Sequence, residues 1–424
     1  MIIKKKNIYH NLLFISSLLL FLFPAAQISG PFLTDSFLII ICIIFLFIYN
    51  YDKEFNLSKS NFFKLFIAFY IFLIITSILS ENVIFSLKSS IPYVRFGIFS
   101  LSIFFILKNS NNFSKYFYIF LIITLSILLF DGYFQFITGK NILGFQTNRP
   151  DRLGSFFLDE LILGSYLSKM LPIFCTFTLI NKKFCNKNYV FLFVLLIYIL
   201  IFLSGERSAF FLATIYLTMI SLFLINFKKL LIFSLLAAIC FGSLINFNKN
   251  IKSRYIEQML DHTFIKNDGK IIIMPDHLGL FISAIDIFQN NVFHGSGVKT
   301  FRINCKYVDK NKINNLKEQF PTAKLCSTHP HNYYLQLLAE TGIFGFLFII
   351  TIFLKLSYNY FNHMYQTKIN KKKVNKSYIC ILSGLIIMMW PLTTSGNFFN
   401  NWICSGLFLS IGIYLFISNN EIKS

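Results

Sequence analysis

The sequence has few charged side chains for a chain of 424 residues. Only 13% of the residues are Asp, Glu, Lys or Arg, whereas 55% are hydrophobic and 18% are aromatic. A soluble protein of this length needs a far more polar surface. The low charge therefore argues against a soluble globular protein, and the repeated apolar runs of about 17–22 residues predict an all-α polytopic membrane protein.

Motifs of nucleotide and metal chemistry are also missing. The glycines in the segment His294–Phe301 are not followed by the Gly-Lys-Ser/Thr ending of a nucleotide phosphate loop. His329 and His331 have neither a histidine at helical spacing nor a Cys-x-x-Cys pair beside them. No Ser-His-Asp arrangement can be argued from the sequence. We therefore expect no metal and no cofactor.

The charge that is present is strongly unbalanced. Lys and Arg number 39 against 18 Asp and Glu, which gives a formal net charge of +21. In a soluble chain this excess would suggest nucleic acid as a partner. Between apolar helices it is typical of flanking charges that orient the helices beside anionic lipid. We therefore expect membrane lipid as a partner and no nucleic acid.

Twelve apolar segments are predicted to cross the membrane as helices, within a single integral membrane domain over residues 1–424. The first follows Lys4–Lys6 and lacks a persuasive signal-peptide cleavage site, so we interpret it as an uncleaved helix. The spans are centred near Leu19, Ile43, Tyr70, Phe99, Leu125, Met170, Leu196, Tyr216, Leu236, Phe346, Ile386 and Leu409. One long polar loop with short helices, Asn248–His331, lies between the ninth and tenth spans.

Lysine orients the predicted helices. Because cytoplasmic connectors carry an excess of Lys and Arg, the lysine-rich segments mark the cytoplasmic side, together with both termini. Those segments are the N-terminus, Asp52–Ser60, Lys108–Lys115, Asn181–Asn188, Lys228-Lys229 and Lys368–Lys376. The long loop, residues 248–331, then lies outside, since long loops are translocated largely regardless of charge.

Arginine has a second asymmetry. Only six of the 39 basic residues are arginine, and in this topology all six face outside: Arg95, Arg149, Arg152, Arg207, Arg254 and Arg302. Lysine suffices for orientation, whereas the planar guanidinium fork grips phosphate with two hydrogen bonds. The outer face is therefore predicted to bind an anionic, phosphorylated ligand. The alternative is that these arginines cap helices or pair with Asp151, Asp159 or Glu206.

Three arginines are the candidates for phosphate contacts. Arg207 follows a tight outer turn and lies near the N-terminus of the eighth span, where helix-end N–H groups also attract anions. Arg152 belongs to a turn around Pro150 that leads into the sixth span. Arg95 lies close behind Pro92, near the outer end of the fourth span. A charge just inside a span is costly, and it marks a functional site unless the side chain extends to the surface.

The polar loop re-enters the membrane through Ser327-Thr-His-Pro-His-Asn332. Histidine has an unperturbed pKa near neutrality, so His329 or His331 at this boundary suits proton transfer on a substrate that is partly lipid. The loop also holds its only two cysteines, Cys305 and Cys326, and these can pair in an oxidising compartment.

Several segments resemble the O-antigen ligase-like family, which includes O-antigen ligases and related polysaccharide polymerases. Arg152-Leu-Gly-Ser-Phe156, Ser204-Gly-Glu-Arg207-Ser-Ala209 and Phe288–Phe301 are similar to family segments in order. The His331-Asn332 pair, followed by Glu340-Thr-Gly342 and Gly345, resembles the family's histidine signature. Together these segments cover about residues 150–350. His277 stands near a position where the family often has arginine, and Glu206 stands where the family tends to have a small residue.

The resemblance implies glycan transfer at the periplasmic face of a bacterial inner membrane. The donor would be a polyprenyl-diphosphate-linked glycan, and the acceptor would be a sugar hydroxyl on lipid A–core. His331 would be the general base, while Arg207, Arg152 and Arg95 would bind the diphosphate. Supporting roles would fall to the residues Asn332, His329, Arg302 and Glu340.

Three alternatives remain open at this point. A polymerase of the same family would differ only in its acceptor, which would be another lipid-linked chain. A transporter of lipid-linked glycans would place its polar residues near the middle of the membrane, often in repeated halves. A scaffold without activity would tolerate alanine at His331 and Arg207.

Overall fold

A computed structural model describes residues 2–51, 60–182, 186–224, 227–258, 260, 264–267, 270–273, 275–308 and 324–422. Helices dominate these ranges. They are α1 (Ile2–Ser29), α2 (Pro31–Ile48), α3 (Asn61–Ile78), α4 (Val83–Ser90), α5 (Val94–Asn109), α6 (Phe113–Thr138), α7 (Leu163–Ile180), α8 (Lys187–Leu203), α9 (Arg207–Leu224), α10 (Phe227–Phe247), α11 (Lys249–Lys252), α12 (Pro275–Asn290), α13 (Phe301–Asn304), α14 (Tyr333–Lys368), α15 (Lys376–Met388) and α16 (Asn401–Ile422). Strands β1 (Phe264–Asn267) and β2 (Lys270–Ile273) pair antiparallel in the long loop.

Among the described residues, nine helices are long and apolar enough to cross a membrane. The class predicted from composition, a multi-pass helical membrane protein, is therefore confirmed. Every one of the twelve predicted span centres falls within a helix. The other three predicted spans fall on shorter apolar helices, which are α8, Ala237–Phe247 within α10, and α15. A total of twelve spans, and the placement of the loop outside, stay predictions.

Helix α7 lies at the centre of the bundle, with 78% of its apolar span buried. It packs against α6, α8, α9 and α15. Apolar burial drives helix association weakly in lipid, so small residues that allow close backbone approach matter more. Gly384 of α15 meets Pro172 of α7, and any side chain at this glycine would collide with the proline ring. The close contact holds the middle of α7 against α15.

The loop between α10 and α14 has a small core of its own, which includes Leu280, Ile287 and Phe301. Its helix α12 packs against α14. The predicted disulfide between Cys305 and Cys326 is present, and the two Cα atoms are 5.1 Å apart. This bond ties the end of α13 to the segment that carries the paired histidines.

Helix α14 is interrupted at Gly342, which has a φ of 64° and a non-helical ψ of −166°. At this break the loop binds the helix through main-chain groups. Ser296 N donates to Ala339 O at 2.9 Å, and Gly297 N donates to Glu340 O at 2.9 Å. Gly295 contacts the α14 backbone so closely that a side chain could not fit between them. The loop and the first turns of α14 therefore form one unit.

Candidate functional site

The paired histidines lie just before α14, and the main chain around them is tightly bonded. Asn332 caps the helix, because its Oδ1 accepts from the N–H groups of Tyr334 at 3.0 Å and Leu335 at 3.1 Å. Its Nδ2 donates to Pro391 O at 2.9 Å. His331 has a left-handed φ of 57°, and its carbonyl accepts from Ser395 N at 2.9 Å. Asn332 thus positions the histidine segment.

Three imidazole rings meet here. The ring centres of His329 and His331 are 4.2 Å apart, and His277 of α12 lies 5.1 Å from His331. Burial, followed by the neighbouring His331, lowers the pKa of His329 to about 4. Burial and His277 also lower the pKa of His331. Both rings of the pair are therefore neutral at pH 7 and able to accept a proton.

Four arginines form a group at the start of α9, which we call the Arg207 group: Arg149, Arg152, Arg207 and Arg254. Burial and the charges of Arg207 and Arg152 lower the pKa of Arg254 to about 10. Arg254 Nε donates to Gly205 O at 2.8 Å, and its Nη1 lies 3.9 Å from the Asp151 carboxylate. Asp151 pairs with Arg149 and Arg254, and the buried Glu206 carboxylate feels the charge of Arg152, so four guanidinium groups lie beside two carboxylates.

Glu206 caps the N-terminus of the neighbouring helix α7. Its carboxylate accepts from Gly164 N at 2.6 Å, from Ser165 N at 3.2 Å and from Ser165 Oγ at 2.5 Å, at the N-terminus of α7. Burial raises the pKa of Glu206, while these hydrogen bonds and the charge of Arg152 oppose that rise. The glutamate therefore fixes the Arg207 turn to α7.

The connector between α15 and α16, residues 389–400, joins the Arg207 group to the histidines. Ser208 Oγ and Thr394 Oγ1 are 2.7 Å apart, so the first turn of α9 contacts this connector. The next residue, Ser395, binds the carbonyl of His331. Consecutive Cα atoms are about 3.8 Å apart. The start of α9 and the histidine segment are thus close enough to contact one ligand together.

Arg95 belongs to a second group of charges, together with Lys299 and Arg302. Its Nη2 lies 3.4 Å from Asp35 Oδ2, and its guanidinium lies over the Phe96 ring at 4.9 Å. Burial lowers the pKa of Lys299, and Arg302 and Arg95 add to this effect while Glu340 opposes it. The charge of Arg302 also reaches His329. This second group therefore borders the histidines through Arg302.

Glu340 is fully buried beside the second group. Its carboxylate accepts from Lys299 N at 2.9 Å, from Phe301 N at 3.1 Å and from Gln336 Nε2 at 3.0 Å. With all these bonds made, Glu340 holds the turn that precedes Arg302.

The structure brings Arg207 and Arg152 together, as their residue types suggested. It places Arg95 with Lys299 and Arg302, so a cavity shared by Arg95, Arg152 and Arg207 stays a prediction. Within the described ranges, no cluster of three or more His, Cys, Asp or Glu has the arrangement of a metal site.

Sequence reasoning missed several residues of the site. Lys169 is one of them, although a lysine within an apolar span is a signal of function by itself. Its ammonium lies over the Trp402 ring at 4.5 Å, and the residue lines a cavity beside Tyr333 and Phe398. Gln336 had a weaker signal, because it lies one helical turn from both Asn332 and Glu340. Asn397 had none.

Residues 191–350 match the family model described as O-antigen ligase. The matched range contains Arg207, Arg302, His331 and Glu340, and it confirms the resemblance to the O-antigen ligase-like family. Arg95, Arg152 and the connector of residues 389–400 lie outside the match. No curated protein matches the chain.

Proposed function

We propose that this chain transfers a glycan from a polyprenyl-diphosphate carrier to a sugar hydroxyl, with lipid A–core as the acceptor. The observation that carries the proposal is the junction at Thr394 and Ser395. One of these residues contacts the start of α9 beside Arg207, and the other binds His331. A cationic group and a neutral imidazole thus lie at the two ends of this short junction, which supports a common ligand. The family match supports ligase- or polymerase-type chemistry.

The Arg207 group would bind the diphosphate of the donor. As the bond to the sugar breaks, negative charge grows on the leaving diphosphate, and guanidinium groups placed in advance stabilise that charge. Arg207 and Arg152 lie at helix ends and turns next to apolar helices, where the polyprenyl chain can lie in lipid. The donor is already activated, so no nucleotide is needed.

His331 would act as the general base for the acceptor hydroxyl. It would take the hydroxyl proton as the oxygen attacks the anomeric carbon opposite the diphosphate, which inverts the configuration. A base is most effective when its pKa lies near the working pH. His329, with a pKa of about 4, is a weak base by this criterion. His331 is therefore our choice between the two.

Reconstitution tests the proposal. The purified chain in proteoliposomes would receive the lipid-linked glycan and the lipid A–core that accumulate in a deletion strain. We expect glycan-bearing lipid A–core and free polyprenyl diphosphate as products. A polymerase, the second candidate because the matched family includes both activities, would give longer lipid-linked chains instead. Movement of intact donor across the bilayer without any transfer would overturn both.

The proposal places the loop of residues 248–331 and the site on the periplasmic face of the inner membrane. Thiol labelling of single cysteines tests this placement. Asn290 is exposed in the loop, and Lys371 is exposed between α14 and α15. The two variants are Asn290→Cys and Lys371→Cys. A membrane-impermeant reagent added to intact spheroplasts should label only the first of them. Labelling of the second alone would reverse the topology.

A further inference from the structure

We infer that the connector of residues 389–400 is the binding subsite for the acceptor sugar. This inference rests on the proposed function and adds the part of the site that recognises an uncharged, hydroxyl-rich ligand. Ser395 and Asn397 would bind sugar hydroxyls from the connector, and His329 would bind one from the opposite side. The two arginine-containing groups would bind the phosphates.

Asn397 has a side-chain amide whose orientation is determined by its surroundings. Its Oδ1 accepts from Phe399 N at 2.8 Å and from Gln336 Nε2 at 3.0 Å. A main-chain N–H can donate only to the oxygen, so Nδ2 must point the other way. The residue is 7% exposed, and among the described residues Nδ2 has no hydrogen-bond partner. Such a buried donor is costly and is uncommon outside functional sites.

Two more buried polar atoms without a partner in the described chain lie close by. One is Ser395 Oγ, two residues before Asn397, and the other is His329 Nε2. The His329 ring lies beside the main chain of Ser395, and its Nδ1 is engaged by Thr328 Oγ1 at 2.9 Å. The three free atoms therefore belong to adjoining segments, at the point where the connector meets His331.

The chemistry of this set differs from that of the Arg207 group. An amide, a hydroxyl and a neutral imidazole suit the hydroxyl groups of a sugar, whereas guanidinium groups suit phosphate. The acceptor hydroxyl must also come within about 2.6–3.2 Å of the general base. Ser395 binds the main chain of His331 directly, so a sugar held by Ser395 and Asn397 lies on the side of the base.

Aromatic rings lie next to these polar residues in the sequence. Tyr333 and Phe398 meet edge to face, with ring centres 5.7 Å apart. Phe398 stands next to Asn397 in the sequence, and its main-chain N–H is held by Gln336 Oε1 at 2.8 Å. The polar atoms and the rings are thus fixed to the same two turns of α14.

Two substitutions test the inference with little change in shape. Ser395→Ala removes Oγ and leaves the main-chain bond to His331 intact. Asn397→Asp keeps an oxygen that accepts from Phe399 N and Gln336 Nε2. It replaces the Nδ2 donor with a second oxygen. The control is Ser410→Ala in α16, because Ser410 Oγ is also buried and without a partner among the described residues. Steady-state transfer would be measured with the lipid-linked glycan and the lipid A–core from the deletion strain, each varied in turn.

We expect both variants to raise the KM for lipid A–core about tenfold, the effect of one lost hydrogen bond, while the KM for the donor stays within twofold. Ser410→Ala should change neither. An unchanged acceptor KM in Ser395→Ala, or equal increases for donor and acceptor, overturns the inference. An increase in the acceptor KM in Lys299→Met, but in neither connector variant, also overturns the inference. That result would assign the acceptor to the second charged group. Complete absence of transfer by the wild-type chain refutes the proposed function itself, and the subsite falls with it.

Discussion

Gln336 donates a hydrogen bond from Nε2 to Glu340 Oε2 at 3.0 Å, one turn further along α14. Through this pair, one helix face holds two separate segments. Glu340 binds the main chain of Lys299 and Phe301 in the long loop, and Gln336 binds Asn397 and Phe398 in the connector. Gln336 and Glu340, one turn apart on α14, therefore hold the connector and the loop beside the histidine segment that precedes the helix.

Glu340→Gln should lower the stability of the protein. The new amide offers one oxygen where the carboxylate offered two, so an N–H of Lys299, Phe301 or Gln336 loses its acceptor. Leaving such a group unpaired costs about 1–3 kcal/mol. Thermal unfolding in detergent measures the change, with the exposed Glu81→Gln as the matched control. Equal melting temperatures for the two variants would contradict the role given to Glu340.

Arg207→Lys should reduce transfer by about 10- to 100-fold. Lysine keeps the charge, but it lacks the planar fork that makes two hydrogen bonds to phosphate, and each bond to a charged group contributes about 1.5–3 kcal/mol. Arg149→Lys is the comparison within the same group, and a smaller loss is expected there because that side chain is 50% exposed and its fork is already paired with Asp151 at 3.0 Å. Rates are compared at saturating acceptor. Losses of the same size in both variants would contradict a particular role for the fork of Arg207.

His331→Ala should reduce kcat by about 10²–10⁴, the usual effect of removing a general base. His329→Ala should affect the acceptor KM more than kcat, because His329 is placed beside the acceptor and is a weak base. Both variants are assayed after a check that they are folded and inserted. If His329→Ala alone were inactive, the base would be His329, and the arginine assignments would stand.

Stability should decrease as the pH is lowered from about 6.5 to about 4. The pKa of His329 is lowered from 6.5 to about 4 in the folded chain, so the unfolded chain takes up a proton first and is favoured as the pH falls. A shift of this size corresponds to about 3 kcal/mol. The pKa of His331 is also lowered in the folded chain, so His331 changes the stability in the same direction. As the pH falls across this range, the melting temperature of the wild type should decrease more than that of His329→Gln, because glutamine takes up no proton. Parallel curves would contradict the assignment.

The sequence predicted the helices well because each needs only a local apolar run. All twelve span centres lie in helices, and the cysteine pair of the loop is bonded. The proximity of Arg207 and Arg152 was also expected, since arginine is scarce in this chain. In these cases the residue type alone carried the signal.

Contacts across long sequence separations were not predictable. Asn397 matters only because Gln336, 61 residues earlier, fixes its amide. The cavity shared by Arg95 and Arg207 stays a prediction, and the packing of α5, which places Arg95 near Lys299 and Asp35, could not be expected from the sequence. Glu206 was weighed only as a partner for Arg207, and its cap on α7, which begins 44 residues before Arg207 in the chain, was not foreseen. Each of these depends on helix packing that no local pattern encodes.

The break at Gly342 has a consequence for how the protein is made. Ile343 N donates to Val292 O at 2.8 Å, so it no longer binds the carbonyl of Ala339 as it would in an unbroken helix. The carbonyl oxygen of Ala339 instead accepts a hydrogen bond from Ser296 N of the loop. Unpaired main-chain groups are costly in lipid. During biosynthesis, α14 can therefore reach its final form only after the preceding loop has folded onto it, and the last steps of insertion wait for that loop.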